Sequence, residues 1–166
     1  MSNHWDDSYM GKLRKKIGND RIITNSVRAI ICNDKNKALF IKRRGDGNWG
    51  MPAGAMELNV SVYGCLKREV KEETGLDVLE ATLIAIYSDP RKQSYTDRYG
   101  NKHQVIEYLF RVDKWTGSIV RETDESLDAK FFPIDHLPEV SNEIFTNHHA
   151  AVFGDFKKYN GQLFLK

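Results

Sequence analysis

Only two cysteines occur in 166 residues, Cys32 and Cys65, and both sit in apolar runs without metal-ligand spacing. That excludes a disulfide-stapled scaffold and a thiolate metal site, and leaves two small buried hydrophobes in a reducing compartment. No charge of one sign dominates: 25 basic residues meet 23 acidic ones, for a formal net charge of +2. Such a balance gives no reason to expect a stable nucleic-acid partner or an anionic membrane surface. Long apolar runs are missing too. Nothing approaches the ~20 residues of a membrane span, and the opening stretch from Met1 to Asp7 lacks the apolar core of a signal peptide. A cytoplasmic protein without a membrane partner is the expectation. No internal repeat, low-complexity tract or linker divides the chain, and a length of 166 residues suits one domain with a sizeable core.

The periodicities present outline mixed elements. Residues 7–18 predict an amphipathic helix with Tyr9, Leu13 and Ile17 inward and Lys12, Arg14, Lys15 and Lys16 on solvated faces, so that residues 1–19 form a helical extension. Residues 22–32 are β-branched and apolar, and after the turn residues Asn33-Asp34-Lys35-Asn36 a second strand over 38–42 completes an expected hairpin. Strands are expected at 78–87, 104–112 and 129–133, a long polar loop over 89–102, a turn at 115–118, and a small helical turn ending at Leu137-Pro138. A closing helix is expected from Asn142 to Tyr159, within a C-terminal helical region over 141–159, with Ile144, Phe145, His148, Val152 and Phe156 inward. Strands and helices mix without strict alternation, which predicts an α/β (α+β) sandwich with a mixed sheet between helices.

One predicted helix violates the usual rule for buried faces. Ser61 is its N-cap and Gly75 its C′ residue. At about 100° per residue, Val62, Cys65 and Leu66 share a stripe with Glu69 and Glu73, with Glu72 at its edge. Lys67, Lys71 and Gly64 fall on the opposite side. Carboxylates on an apolar stripe are costly unless a positive group meets them, and a divalent cation is the economical one. A solvated helix end with Arg68 and Lys71 paired to the glutamates is the plainer alternative.

Gly54 followed by Arg68-Glu69-Val70-Lys71-Glu72-Glu73-Thr74-Gly75-Leu76, with the approach Trp49-Gly50-Met51-Pro52-Ala53, resembles the box of the Nudix (MutT-like) hydrolases. The likeness spans residues 22–140 and includes Glu122 to Ser126, Phe131-Phe132-Pro133 and Leu137-Pro138. It implies a single α/β/α sandwich domain that uses magnesium or manganese to hydrolyse the pyrophosphate bond of a nucleoside diphosphate derivative. Nucleotide sugars such as ADP-ribose and nucleoside triphosphates are the small-molecule substrates to consider. By this resemblance Glu72 and Glu73 are chief metal ligands, Glu69 is ligand or base, the carbonyl of Ala53 adds an oxygen, and Arg68 holds a glutamate in place. The box departs from its pattern at Val60, where glutamate is expected, and at Asn59, where glycine is usual. That departure raises the alternative of a catalytically weakened nucleotide-binding or regulatory module, with Glu57 a nearby substitute carboxylate.

Substrate contacts are less defined. Arg43 and Arg44 either face phosphate or are surface charge, and Trp49 either stacks on a base or packs against its loop. Glu125, in the acidic cluster with Glu122 and Asp124, is either a base or extra ligand or ordinary turn charge. Arg91, Tyr95, Arg98 and Tyr99 suit a nucleotide or a solvent loop equally, and His103, His148 and His149 fit surface or packing roles. A homodimer through Trp5, Tyr9 and the first helix is a further arrangement to test.

Overall fold

Two serines open the principal N-terminal helices by the same device. Ser8 caps α2 (Tyr9–Ile17) and Ser61 caps α3 (Val62–Thr74), each side-chain oxygen accepting from the backbone N–H three residues on, at Gly11 and Gly64. The computed structural model describes residues 4–141 and 143–166, without the side chains of His4 and of residues 143–146. A short α1 (His4–Asp7) precedes Ser8, so the single helix expected over 7–18 is two pieces. Met10, Gly11 and Arg14 are its buried positions, while Tyr9, Leu13 and Ile17 are half-buried. Arg14 thus leaves the solvated face assigned to it. Its guanidinium donates to the carbonyls of Gly18, Asp20 and Lys102, which could not be foreseen from helical spacing.

The main sheet is built on two long strands. β1 (Ile22–Ile31) runs parallel to β7 (Lys102–Thr116), with Ile22 opposite His103 and Ile31 opposite Val112. β4 (Ala53–Ala55) pairs antiparallel on the outer side of β1. Beyond β7 lies β5 (Asp77–Tyr87), antiparallel, then β9 (Phe164–Leu165). A smaller sheet has the order β3 (Trp49–Gly50), β2 (Lys37–Arg43), β8 (Ser126–Pro133). The expected hairpin of the first two strands does not form. After one bridge between Cys32 and Ala38, β2 departs to pair with β8, because its apolar residues alternate toward two different helices.

That division defines the layers. Val27, Ala29, Ile31, Leu39 and Ile41 pack with Cys65, Leu66 and Val70 of α3. Ile30, Phe40, Ile84 and Leu109 pack with Val152 and Phe153 of α5 (Glu143–Lys158). The sheets therefore lie between helices, an α/β/α sandwich, and where both faces are covered the strands run continuously apolar, over residues 29–31 and 38–41. A fully buried Leu66 or Val70 contributes about 1.5–3 kcal/mol to holding α3 in place.

Other boundaries shift. The expected loop over 89–102 contains α4 (Pro90–Gln93), capped by Asp89, and β6 (Ser94–Thr96), which pairs with β7. β7 runs through Trp115 and Thr116, where a turn is expected, since β5 supplies its partners that far. Residues 134–138 form a turn in which His136 N–H donates to Pro133, without a helix. Asn142 and the Ile144 and Phe145 side chains lie outside what is described. Among the described residues no helix is long and apolar enough to cross a membrane.

Candidate active site

α3 carries its carboxylates inward because both ends are fixed. Gly75 closes it with φ of 79°, in the left-handed region, and its N–H donates to Lys71. Within this frame Glu69 and Glu73 are buried, at 6% and 7% exposure, while Glu72 remains half-buried at the rim. Gly54 makes the close approach possible. A β-carbon there would stand 2.0 Å from Cδ of Glu69, so only glycine admits the carboxylate. The neighbouring Ala53 N–H donates to Glu73 Oε2 at 2.8 Å.

A third carboxylate arrives from the loop before β8. Oxygens of Glu69, Glu73 and Glu125 lie within 4.8 Å of one another. Arg44 secures this loop, its Nη2 reaching Glu122 Oε1 and the Thr123 carbonyl at 3.0 Å each, and its backbone N–H donating to the Glu125 carbonyl. Burial pushes the Glu69 carboxyl up to about 7 despite the opposing charge of Arg68, and Glu125 and Glu72 add to the rise. Glu73 goes to about 8, chiefly through burial; the Ala53 hydrogen bond opposes this and Glu69 reinforces it. Three converging carboxylates, two of them poorly solvated, suit a hard divalent cation with oxygen preference.

Arg68 governs the other side of the cluster. Its Nη2 meets Glu69 Oε1 at 2.5 Å and the Ala55 carbonyl at 3.0 Å, while Nη1 meets Glu72 Oε2 at 2.8 Å. Val60 packs against the core beside α3. Glu57 faces elsewhere, accepting from the Tyr9 N–H at 2.8 Å. Arg68 thus holds two glutamates of its own helix.

Glu73 lines a cleft of about 1320 Å³ whose walls also include Arg28, Arg43, Tyr95, Glu107 and His148. Arg28 Nη2 donates to Glu107 Oε2 at 2.8 Å, and His148 Nε2 lies 2.8 Å from Glu107 Oε1. Burial alone would raise Glu107, but Arg28 and His148 outweigh it and hold that carboxyl well below the usual range. Of the residues singled out for substrate, Arg43 lines the cleft and Arg44 is turned to the 122–126 loop. Trp49 presses edge-on against Phe132, with centroids 4.9 Å apart. His148 faces the cleft, and Tyr95 stacks on His103 at 5.0 Å beside it.

Sequence reasoning passed over Arg28 and Glu107. A signal did exist: each is a lone charge inside an apolar strand, Val27-Arg28-Ala29 and Val105-Ile106-Glu107-Tyr108-Leu109. In β7 the two-residue period places Glu107 on the buried face with Val105 and Leu109.

Comparison with known proteins gives this geometry its family. A NUDIX domain model matches residues 23–153. The chain is 31% identical over 132 residues to a protein of Methanocaldococcus jannaschii named ADP-ribose pyrophosphatase, covering 78% of this chain and 70% of that one. It is 32% identical over 112 residues to the 8-oxo-dGDP phosphatase NUDT18 of Danio rerio, where 64% of this chain spans only 31% of the relative. Among solved structures, a MutT NUDIX hydrolase from Burkholderia pseudomallei superimposes with a TM-score of 0.62 at 23% identity, covering 78% of this chain and 97% of the other. With the α/β/α layers and the glutamate helix in place, the match over residues 23–153 means that this chain belongs to the NUDIX family.

Proposed function

We propose that the protein is a divalent-metal-dependent hydrolase of the phosphoanhydride bond in a nucleoside diphosphate derivative, such as ADP-ribose, or in a nucleoside triphosphate. The convergence of Glu69, Glu73 and Glu125, with Glu73 lining a large cleft, carries this reading. The relatives' names, ADP-ribose pyrophosphatase and 8-oxo-dGDP phosphatase, support the substrate class.

Glu69, Glu73 and Glu125 would hold magnesium or manganese. The ion, when bound, supplies Lewis acidity toward a phosphoryl oxygen and lowers the pKa of a bound water. The chain's own part is to keep these carboxylates gathered. Gly54 makes room for Glu69, the Ala53 N–H orients Glu73, and Arg44 positions the segment bearing Glu125. Arg68 fixes Glu69 and Glu72 relative to each other. Substitution at phosphorus by water then releases two phosphorylated products.

Val60 favours a second reading, a nucleotide-binding module with weakened turnover. With no glutamate at position 60, Arg68 spends its charge on carboxylates of α3. One experiment addresses both. Wild type and Val60→Glu are assayed on a panel of nucleotide sugars and nucleoside triphosphates with magnesium or manganese, and products are identified. Release of a nucleoside monophosphate by the wild type supports the hydrolase. Turnover only after Val60→Glu supports the weakened module, and no product from either chain overturns the hydrolase reading.

A further inference from the structure

Within the cleft, Arg28 is held more firmly than its charge pairing requires. It sits in β1 at 7% exposure with Val27 and Ala29 on either side. Its Nη2 meets one oxygen of Glu107, and His148 holds the other, so the carboxylate cannot turn away. A guanidinium has five N–H donors. Nε and Nη1, which carry three of them, are buried and find no partner among the described residues. Leaving buried donors unmet is costly, and Arg28 lines the cleft beside Glu73 and Arg43.

The surroundings select the missing partner. Arg43 stands close enough for the two positive charges to oppose each other. The carboxylates in range are Glu73, already turned to the Ala53 N–H, and Glu107, already engaged at both oxygens. Tyr95, Tyr87 and His149 are further polar neighbours, and none of them hydrogen-bonds Arg28 among the described residues. An oxyanion with several acceptor atoms would relieve the repulsion and use the vacant donors together, and phosphate has that chemistry.

We propose that Arg28, braced by Glu107 and His148, binds a phosphate of the substrate other than the one held at the Glu69–Glu73–Glu125 cluster. The cleft then has two phosphate stations, one acidic with its metal and one basic. A molecule with two linked phosphates spans both, whereas a monophosphate fills only one. This deepens the hydrolase reading and rests on it, because it assigns the second station of the same cleft.

The test uses the full chain as wild type, Arg28→Gln, Glu107→Gln and the double variant, with folding checked by circular dichroism. The double variant removes both charges of the pair, so no unpaired buried carboxylate clouds the result. Binding of ADP and of AMP is measured by calorimetry with calcium, so that the acidic station holds a cation, and ADP-ribose hydrolysis is measured separately with magnesium. ADP should bind the wild type more tightly than AMP does. The double variant should lose about 10- to 100-fold in ADP affinity, the worth of one or two charge-assisted hydrogen bonds, with a smaller change for AMP. Glu107→Gln should bind ADP more tightly than the wild type, because a negative charge beside the anion is gone.

An unchanged ADP affinity in the double variant overturns the proposal, as does a wild type that prefers AMP or binds neither. A Glu107→Gln variant as weak as the double variant also overturns it, since the network would then be scaffolding. The two readings separate cleanly. Arg28-dependent ADP binding without ADP-ribose hydrolysis removes that substrate's turnover and keeps the phosphate station. Hydrolysis with a KM indifferent to Arg28 does the reverse.

Discussion

Glu69 and Glu73 are placed where the metal-free protein is poorly served by them. Their pKa values stand near 7 and 8, raised first by burial, against 4.5 for an ordinary glutamate. Between pH 4.5 and about 8 the folded chain therefore keeps protons that the unfolded chain has released. Stability of the metal-free protein falls as pH rises through that window, and the full cost is present above it. Glu73→Gln removes one of these titrations while retaining an oxygen for the Ala53 N–H. Thermal unfolding in EDTA should show variant and wild type nearly matched at pH 5 and the variant more stable at pH 8.5, by on the order of a few kcal/mol. The same substitution should abolish stabilisation by magnesium. His149, buried and lowered to about 3 mainly by burial, works in the opposite direction. Its contribution is lost as pH falls below 6.5 and is common to both chains, so the difference between them isolates Glu73. Equal stability at pH 8.5 would show that Glu73 is not an uncompensated buried carboxylate.

At the scale of elements, the 122–126 loop decides how many carboxylates meet. Arg44 ties it to β2 through Glu122, Thr123 and Ser126. The Arg44–Glu122 ion pair is largely exposed, so its direct worth is below about 1 kcal/mol. Arg44→Ala should therefore move Tm by no more than about 4 °C. By loosening the segment that bears Glu125, it should lower manganese affinity and kcat by about tenfold, as a loss of the order of 1.4 kcal/mol in positioning implies. Calorimetry and steady-state kinetics on one preparation check both, and unchanged metal affinity would free Glu125 of any ligand role. Elements differed in how far their residues announced them. α3 was legible from Ser61 to Gly75 because its signals are local: an N-capping hydroxyl, a left-handed glycine and a stripe that changes from apolar to acidic. The hairpin was not, since the same apolar alternation in β2 suits pairing with β1 or with β8, and only the placement of α3 and α5 selects the second. Polar composition concealed α4 and β6, whose order comes from the Asp89 cap and from pairing with β7.

The whole molecule supplies what no local pattern could. Arg28 and Glu107 meet across 79 positions of sequence, and His148 joins them from a helix 41 positions further on. Each looked like an isolated irregularity until the parallel pairing of β1 with β7 set them side by side. The N-terminal helices pose the opposite question, how much of the molecule needs them. α2 is fastened by the Tyr9 N–H to Glu57 and by Arg14 to the carbonyls of Gly18, Asp20 and Lys102. Yet among the described residues both core clusters draw only on positions from Val27 onward. A chain beginning at residue 19 should therefore fold, with its far-ultraviolet helical signal lowered only by the loss of α1 and α2. Its stability should fall by about 1–3 kcal/mol, from the lost burial of Met10 and the Arg14 hydrogen bonds. Trp5 and Met10 line the cleft, so its rim opens and KM for ADP-ribose should rise while kcat holds. Light scattering on both chains tests the homodimer at the same time, because Trp5, Ile23 and Leu58 are exposed apolar side chains around α1 and α2. A dimer that becomes a monomer on truncation assigns that face to a second copy, and equal masses remove it. Should the shortened chain fail to fold at all, α2 belongs to the cooperative core.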